Sequence, residues 1–207
     1  MKDRQHAGGN TTVSRRAFLQ GSGAAMAATA IATGANEAVA EAEKPSRLRS
    51  AGPQKVVLTV NGKQHTLMLE PRVTLLEALR NDLNLTGAKE VGNVSNDGAD
   101  TVIIDGKPVF ASTRLAIEVE GKNITTVEGL SEGKNVDEVI TAFVKHDATQ
   151  CGYCTPGFVV AVRAFLNKNP GANLEQIRKG LGGNICRCGT YAGVTDAAVE
   201  LCKQGGA

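Results

Sequence analysis

The stretch Gln150-Cys151-Gly152-Tyr153-Cys154-Thr155-Pro156-Gly157 has a counterpart in Gly183-Asn184-Ile185-Cys186-Arg187-Cys188-Gly189-Thr190-Tyr191. Four of the five cysteines fall there, as Cys151-x-x-Cys154 and Cys186-x-Cys188, with one long helical span between the pairs. Paired thiolates are the ligand set of iron–sulfur clusters and of structural zinc. Arg187 and the helix starts near both loops suit anionic sulfur, which positive charge and helix N-termini stabilise. By spacing alone, zinc and iron–sulfur are equally open. Disulfides are a third reading, expected in an oxidising compartment. Cys186 and Cys188 are too close for easy mutual pairing, whereas cross-pairing with Cys151 and Cys154 is geometrically open.

Working outward, the period around the cysteines is helical. Val136, Val139, Ile140 and Phe143 mark one helix, opening with Asp137 and Glu138, where the helix dipole favours acid. A second begins at Pro156, a good first-turn residue, and would bury Phe158, Val159, Val162, Phe165 and Leu166 before Asn169-Pro170-Gly171 ends it. Residues 173–181 and 190–203 suggest two more. The expectation is a helical domain over residues 131–207, with its cysteines at helix ends.

The preceding half reads differently. Residues 55–61 and 64–70 alternate partly around Gly62-Lys63, a hairpin signal. Thr74 could cap a helix through Leu85, with Glu77 at the third position and Leu75, Leu76, Leu79 and Leu83 at helical spacing. A Gly- and Asn-rich loop spans 86–100. Thr101-Val102-Ile103-Ile104-Asp105-Gly106 opens another hairpin, and Ile124–Glu128 reads as a closing strand. These elements make a small α+β domain over about residues 55–130.

The N-terminus is an address. Ser14-Arg15-Arg16-Ala17-Phe18-Leu19-Gln20 is a twin-arginine signature, a small-residue apolar stretch follows from Gly21 to Thr33, and Ala38-Val39-Ala40 supplies a cleavage pattern. The apolar stretch is short of the roughly 20 residues that span a bilayer, so no stable membrane span is expected. Residues 1–40 are thus predicted to be a signal peptide for export of the folded protein to the periplasm, and residues 41–54 a linker. The net charge of +2 comes from this leader: without residues 1–40, 19 basic and 19 acidic residues remain. A neutral body with 3% aromatics gives no support for nucleic-acid binding.

Both cysteine stretches, with Asp105-Gly106-Lys107-Pro108-Val109 and Thr125-Thr126-Val127-Glu128-Gly129, resemble the iron–sulfur subunits of molybdenum hydroxylases, the xanthine dehydrogenase and aldehyde oxidoreductase family. The likeness covers nearly the whole chain after the leader. With the export signal, the chain is similar to small subunits of periplasmic aldehyde oxidoreductases. The second-cluster motif is long and specific, and it displaces zinc. The resemblance implies an α+β fold: a β-grasp, plant-ferredoxin-like domain followed by an all-α four-helix-bundle domain. It implies that Cys151, Cys154, Cys186 and Cys188 hold the [2Fe–2S] cluster nearest the molybdopterin, and that Gln150 faces the pterin. Without it, Gln150 would be an exposed helix-end glutamine. Cys202 matches no ligand position and reads as a small buried residue.

The family's first domain normally carries another [2Fe–2S] cluster on C-x₄-C-x₂-C…C spacing. Aligned on Thr86-Gly87 and Gly98-Ala99, those four positions are here Gly92, Asp97, Asp100 and Ser112. Glycine offers no ligand, and oxygen donors suit Ca²⁺ or Mg²⁺ better than a sulfide-bridged iron pair. A calcium loop of Asn93, Asn96, Asp97 and Asp100 is conceivable but follows no EF-hand pattern, and a solvated polar loop is favoured over it. One cluster is therefore expected, with the first domain a scaffold.

The sequence presents no catalytic acid–base pair or nucleophile. His65, His146 and Asp147 lack such a setting, and a helix-end hydrogen bond is expected of His146. Function then means relaying electrons for an aldehyde-type oxidoreductase. A molybdopterin-binding large subunit would supply them, and a flavin (FAD) subunit, a cytochrome or another exported redox protein would accept them. The competing expectation is a degenerate paralogue with a structural or assembly role.

Overall fold

The computed structural model describes residues 50–92, 96–132 and 135–204. The expected signal peptide, most of the linker and Asn93 lie outside them.

Strand β1 (Gln54–Val60) turns back on β2 (Lys63–Leu69) through Asn61-Gly62, both at positive φ. That is the twist a two-residue hairpin requires, and Asn-Gly adopts it at little cost. Asp105-Gly106 does the same between β3 (Thr101–Ile104) and β4 (Lys107–Phe110). With β5 (Asn123–Thr125) the sheet runs β2-β1-β5-β3-β4; β1 and β5 are parallel and every other pair antiparallel. Val56, Leu58 and Val60 alternate along β1 and are buried, as period-two patterning demands.

Helix α1 (Leu75–Glu77) starts in a capping box: Thr74 Oγ1 accepts the Glu77 N–H, and the Glu77 carboxylate accepts the Thr74 N–H. A π-helical turn, Ala78–Asp82, continues it, with the Leu83 N–H reaching the Ala78 carbonyl. The helix thus stops short of Leu85. Leu75, Leu76, Ala78 and Leu79 bury its inner face against Val56, Leu58, Val102 and Ile124. A mixed five-stranded sheet with one helix packed on it is the β-grasp, ferredoxin-like arrangement expected.

Four helices follow: α2 (Glu138–Lys145), α3 (Thr155–Leu166), α4 (Leu174–Gly180) and α5 (Tyr191–Gln204). Val136, expected on the first of these, instead lies in a short ribbon, β6 (Ser131–Glu132) against β7 (Asn135–Val136), because Asp137 caps α2 one residue later. Val139, Phe143, Phe158, Val162, Ile177, Val194 and Leu201 make an aliphatic and phenylalanine core among the helices. Burying each such side chain contributes about 1.5–3 kcal/mol.

Strand β3 joins the two halves. All four of its residues are buried. Val102 and Ile104 face the α1 core, while Ile103 packs with Val160 and Ala164 of α3. A strand covered on both faces reads as an unbroken apolar run, as 102–104 does. Gly157 allows the close approach: a Cβ there would lie 2.1 Å from the Gly98 carbonyl oxygen. Among the described residues, no helix is long and apolar enough to cross a membrane.

Candidate metal centre

The turn between α2 and α3 carries the first cysteine pair. His146 closes α2, Asp147 takes a positive φ (49°), and Gly152 takes another (82°) between the cysteines. Cys154 is the residue just ahead of α3, whose first turn contains Pro156. The second pair lies in the irregular segment between α4 and α5. The Cys186 N–H donates to the Tyr191 hydroxyl at 2.7 Å, and the Tyr191 ring stands edge-on to Phe158 with centroids 5.9 Å apart. The second loop is thereby fixed to both α5 and α3.

The structure brings the four sequence-predicted cysteines together as two pairs that cross the loops. Cys154 is a hydrogen-bonding neighbour of Cys186, and Cys188 of Cys151. Cys186 is buried, Cys154 and Cys188 are half-buried and Cys151 is exposed; none is in a disulfide. Cys202, also unpaired, is buried on α5 in the core of the helical half. Cys186 Sγ accepts the Thr190 hydroxyl at 3.0 Å and the Cys188 N–H at 3.2 Å.

The environments of the sulfurs differ. Burial pushes Cys186 up, but the Thr190 hydroxyl and backbone, the Cys188 backbone and the Cys154 thiol bring it below the ordinary thiol value. Cys154 is pushed up to about 11, first by burial and then by hydrogen bonding and charge repulsion from Cys186. For Cys188 the Cys151 backbone acts downward, yet the Cys151 thiol, desolvation and neighbouring charge leave it raised. Binding a metal centre must displace these thiol protons. Among the described residues, no group of three or more His, Cys, Asp or Glu side chains is arranged around a single ion. A binuclear cluster instead asks for two thiolates at each iron, and two all-sulfur pairs match that chemistry.

Around the pairs, Gln150 is exposed and its Oε1 accepts the Gly189 N–H at 3.2 Å, bridging the loops beside Cys151 and Cys188. Arg187 is exposed, so the polar support for Cys186 comes from Thr190 and backbone. Thr190 and Tyr191 belong to the quoted cysteine stretch, but no sequence pattern marks them as sulfur or loop supports. Asn184 gives no such signal either: buried, it donates to the Gly98 carbonyl (2.9 Å) and to Thr101 Oγ1 (3.1 Å). The Ile185 N–H donates to the Asp97 carbonyl at 2.7 Å. The cysteine loop therefore leans on the turn at 97–101.

That turn holds Asp97 and Asp100, two of the four positions that the sequence aligns with the family's other cluster. Asp100 is fully buried, and its Oδ2 accepts the Ser112 N–H at 2.7 Å. Asp97 Oδ1 accepts the Ala99 N–H at 2.8 Å. Gly92 and Ser112 line a cavity of about 120 Å³ together with Glu77, Arg80 and Glu90. This donor set holds no sulfur and does not fit an iron–sulfur cluster.

The remaining candidates have structural settings. His65 lies within β2 opposite Leu58. His146 Nε2 is 2.6 Å from Glu200, which Lys145 also contacts at 2.7 Å, so the end of α2 is tied to α5. Asp147 is exposed in the turn that follows.

A β-grasp sheet joined to a helical bundle that offers paired thiols defines a two-part iron–sulfur protein. A family model described as a [2Fe-2S] binding domain matches residues 126–199, including all four cysteines. The aldehyde oxidoreductase iron-sulfur-binding subunit PaoA of Escherichia coli (strain K12) is 35% identical over 211 residues, covering 95% of this chain and 90% of that one. The xanthine dehydrogenase iron-sulfur-binding subunit of Escherichia coli O157:H7 is 37% identical over 147 residues, covering 70% of this chain and 92% of its own. The crystal structure of quinoline 2-oxidoreductase from Pseudomonas putida 86 superposes with a TM-score of 0.69 at 35% identity, covering 76% of this chain and 100% of the chain matched. The chain belongs to the iron–sulfur subunits of the xanthine dehydrogenase and aldehyde oxidoreductase family, the molybdenum hydroxylases. It is an electron-transfer component of an oxidoreductase of that type.

Proposed function

We propose that this subunit relays electrons through a single [2Fe–2S] cluster, with Cys151 and Cys188 holding one iron and Cys154 and Cys186 the other. The convergence of four thiols in two cross-loop pairs carries this reading. When bound, such a cluster supplies one-electron exchange. The chain's own residues hold it, shield the Cys154–Cys186 side from water and donate hydrogen bonds to Cys186. The residues at Gly92, Asp97, Asp100 and Ser112 support one cluster rather than two. Residues 55–130 then serve as a scaffold and residues 131–207 as the cluster domain.

A molybdopterin-binding large subunit would donate the electrons. Gln150, exposed and beside Cys151, is our candidate for the residue facing the pterin. The reaction itself belongs to that partner, since the described residues offer no acid–base constellation of their own. The relatives are named for aldehyde, xanthine and quinoline chemistry, and an aldehyde is the substrate class we favour. Without a second cluster as a stepping stone, electrons would leave directly for a cytochrome or another exported redox protein rather than for a flavin subunit. The twin-arginine motif at Arg15-Arg16 supports periplasmic export of the folded subunit, with cleavage after Ala40.

Iron and sulfide analysis with EPR of the purified complex tests this reading. About two irons per chain and one signal that substrate reduces are expected. Two distinct [2Fe–2S] signals would overturn the single-cluster claim, and zinc in place of iron the whole reading. A cluster that substrate never reduces would favour a structural or assembly role.

A further inference from the structure

We propose that Thr190 is a positioning residue that raises the reduction potential of the cluster by donating its hydroxyl hydrogen bond to Cys186 Sγ. The inference rests on the cluster reading above.

Thr190 is 3% exposed and sits immediately ahead of α5, its carbonyl accepting the Val194 N–H at 2.9 Å. That bond fixes the backbone, leaving the hydroxyl at 3.0 Å from the sulfur. Cys186 is itself 8% exposed. Water is therefore a poor substitute for this donor, and a low-dielectric setting strengthens each such bond.

When one electron arrives from the reduced molybdenum subunit, no bond in this chain forms or breaks and no proton moves. The electron would add negative charge to a bound cluster, part of it at the ligand sulfurs. A donor aimed at one of them stabilises the reduced state more than the oxidised one, and hydrogen bonds to sulfur are among the determinants of such potentials. With no second cluster to receive the electron at close range, the potential set here decides which acceptors can take it.

Redox titration of the EPR signal in the intact complex, with dithionite as the one-electron reductant, tests the proposal. Thr190→Val is expected to keep about two irons per chain and to lower the reduction equilibrium constant about tenfold, which is about 59 mV for one electron. Thr190→Ser, which keeps the hydroxyl, is expected to restore most of the shift. An unshifted valine variant with full iron overturns the inference, and so does a serine variant displaced as far as valine, since packing would then be the cause. If valine prevents iron loading, Thr190→Ala is titrated instead, and an unshifted potential there overturns it equally. A wild-type chain without iron overturns the underlying cluster reading and the inference with it. A normal wild-type cluster beside unshifted variants overturns the inference alone.

Discussion

Asp100 and Asn184 hold the turn on which the cysteine loop rests. Asp100 Oδ2 accepts the Ser112 N–H inside the protein, linking the start of β3 to the turn after β4. In Asp100→Ala that amide loses its acceptor in a buried setting, which costs about 1–3 kcal/mol. A melting temperature lower by about 2–4 °C per kcal/mol is expected, with iron content unchanged because the residue holds no metal. A drop in iron to nothing would make Asp100 part of the cluster site. Asn184→Ala deletes two bonds, to Gly98 and Thr101, and frees the residues just ahead of Cys186. A stability loss of similar size is expected, here with faster iron release to a chelator, measured by the decay of visible absorbance. The four paired cysteines are legible because thiols at such short spacing point to a metal centre or to disulfides and to little else. The residues that hold them are not, since an asparagine or threonine has many uses: Asn184 gains this one when the turn at 98–101 arrives, and Thr190 when the chain folds back on Cys186.

At the scale of elements, α1 and α3 show which local signals carry over. The Thr74–Glu77 box was readable from spacing, because its partners lie within one turn. Thr74→Ala is expected to cost about 1 kcal/mol, and Thr74→Ser to cost much less, by urea denaturation. The π turn that follows, and the ribbon that captures Val136, depend on bonds that hydrophobic spacing does not encode. Gly157 is the sharper case. Alanine is normally the better helix residue by up to about 1 kcal/mol. Here its methyl would meet the Gly98 carbonyl at 2.1 Å, a backbone atom that cannot swing aside. Gly157→Ala is therefore expected to destabilise by about 1–3 kcal/mol, read as a lower denaturation midpoint. Unchanged stability would mean that α3 can slide on β3 without loss.

Over the whole molecule, charges at the far ends of helices pin the bundle. Lys145, then His146, hydrogen-bond Glu200 and hold its carboxyl below the usual range. The unfolded chain binds that proton more readily, so stability from this contact is full above the ordinary glutamate pKa and is lost as pH falls through the lowered one. The group is solvent-accessible and the effect small. Glu200→Gln is expected to flatten the acid limb of melting temperature against pH below the ordinary glutamate pKa of about 4.3. An acid limb identical to wild type would remove Glu200 from the account. By itself the sequence determined most of the elements and their order, an α+β half ahead of a helical half, and the two short-spaced pairs of sulfurs. These follow from periodicity, turn chemistry and residue identity, all local properties. Only the tertiary structure decided which cysteine stands beside which, that Asp100 bonds Ser112, and that Asn184 and Gly157 join the halves. Each of those is a meeting of chain segments whose partner is set by packing, and packing is a property of the assembled molecule.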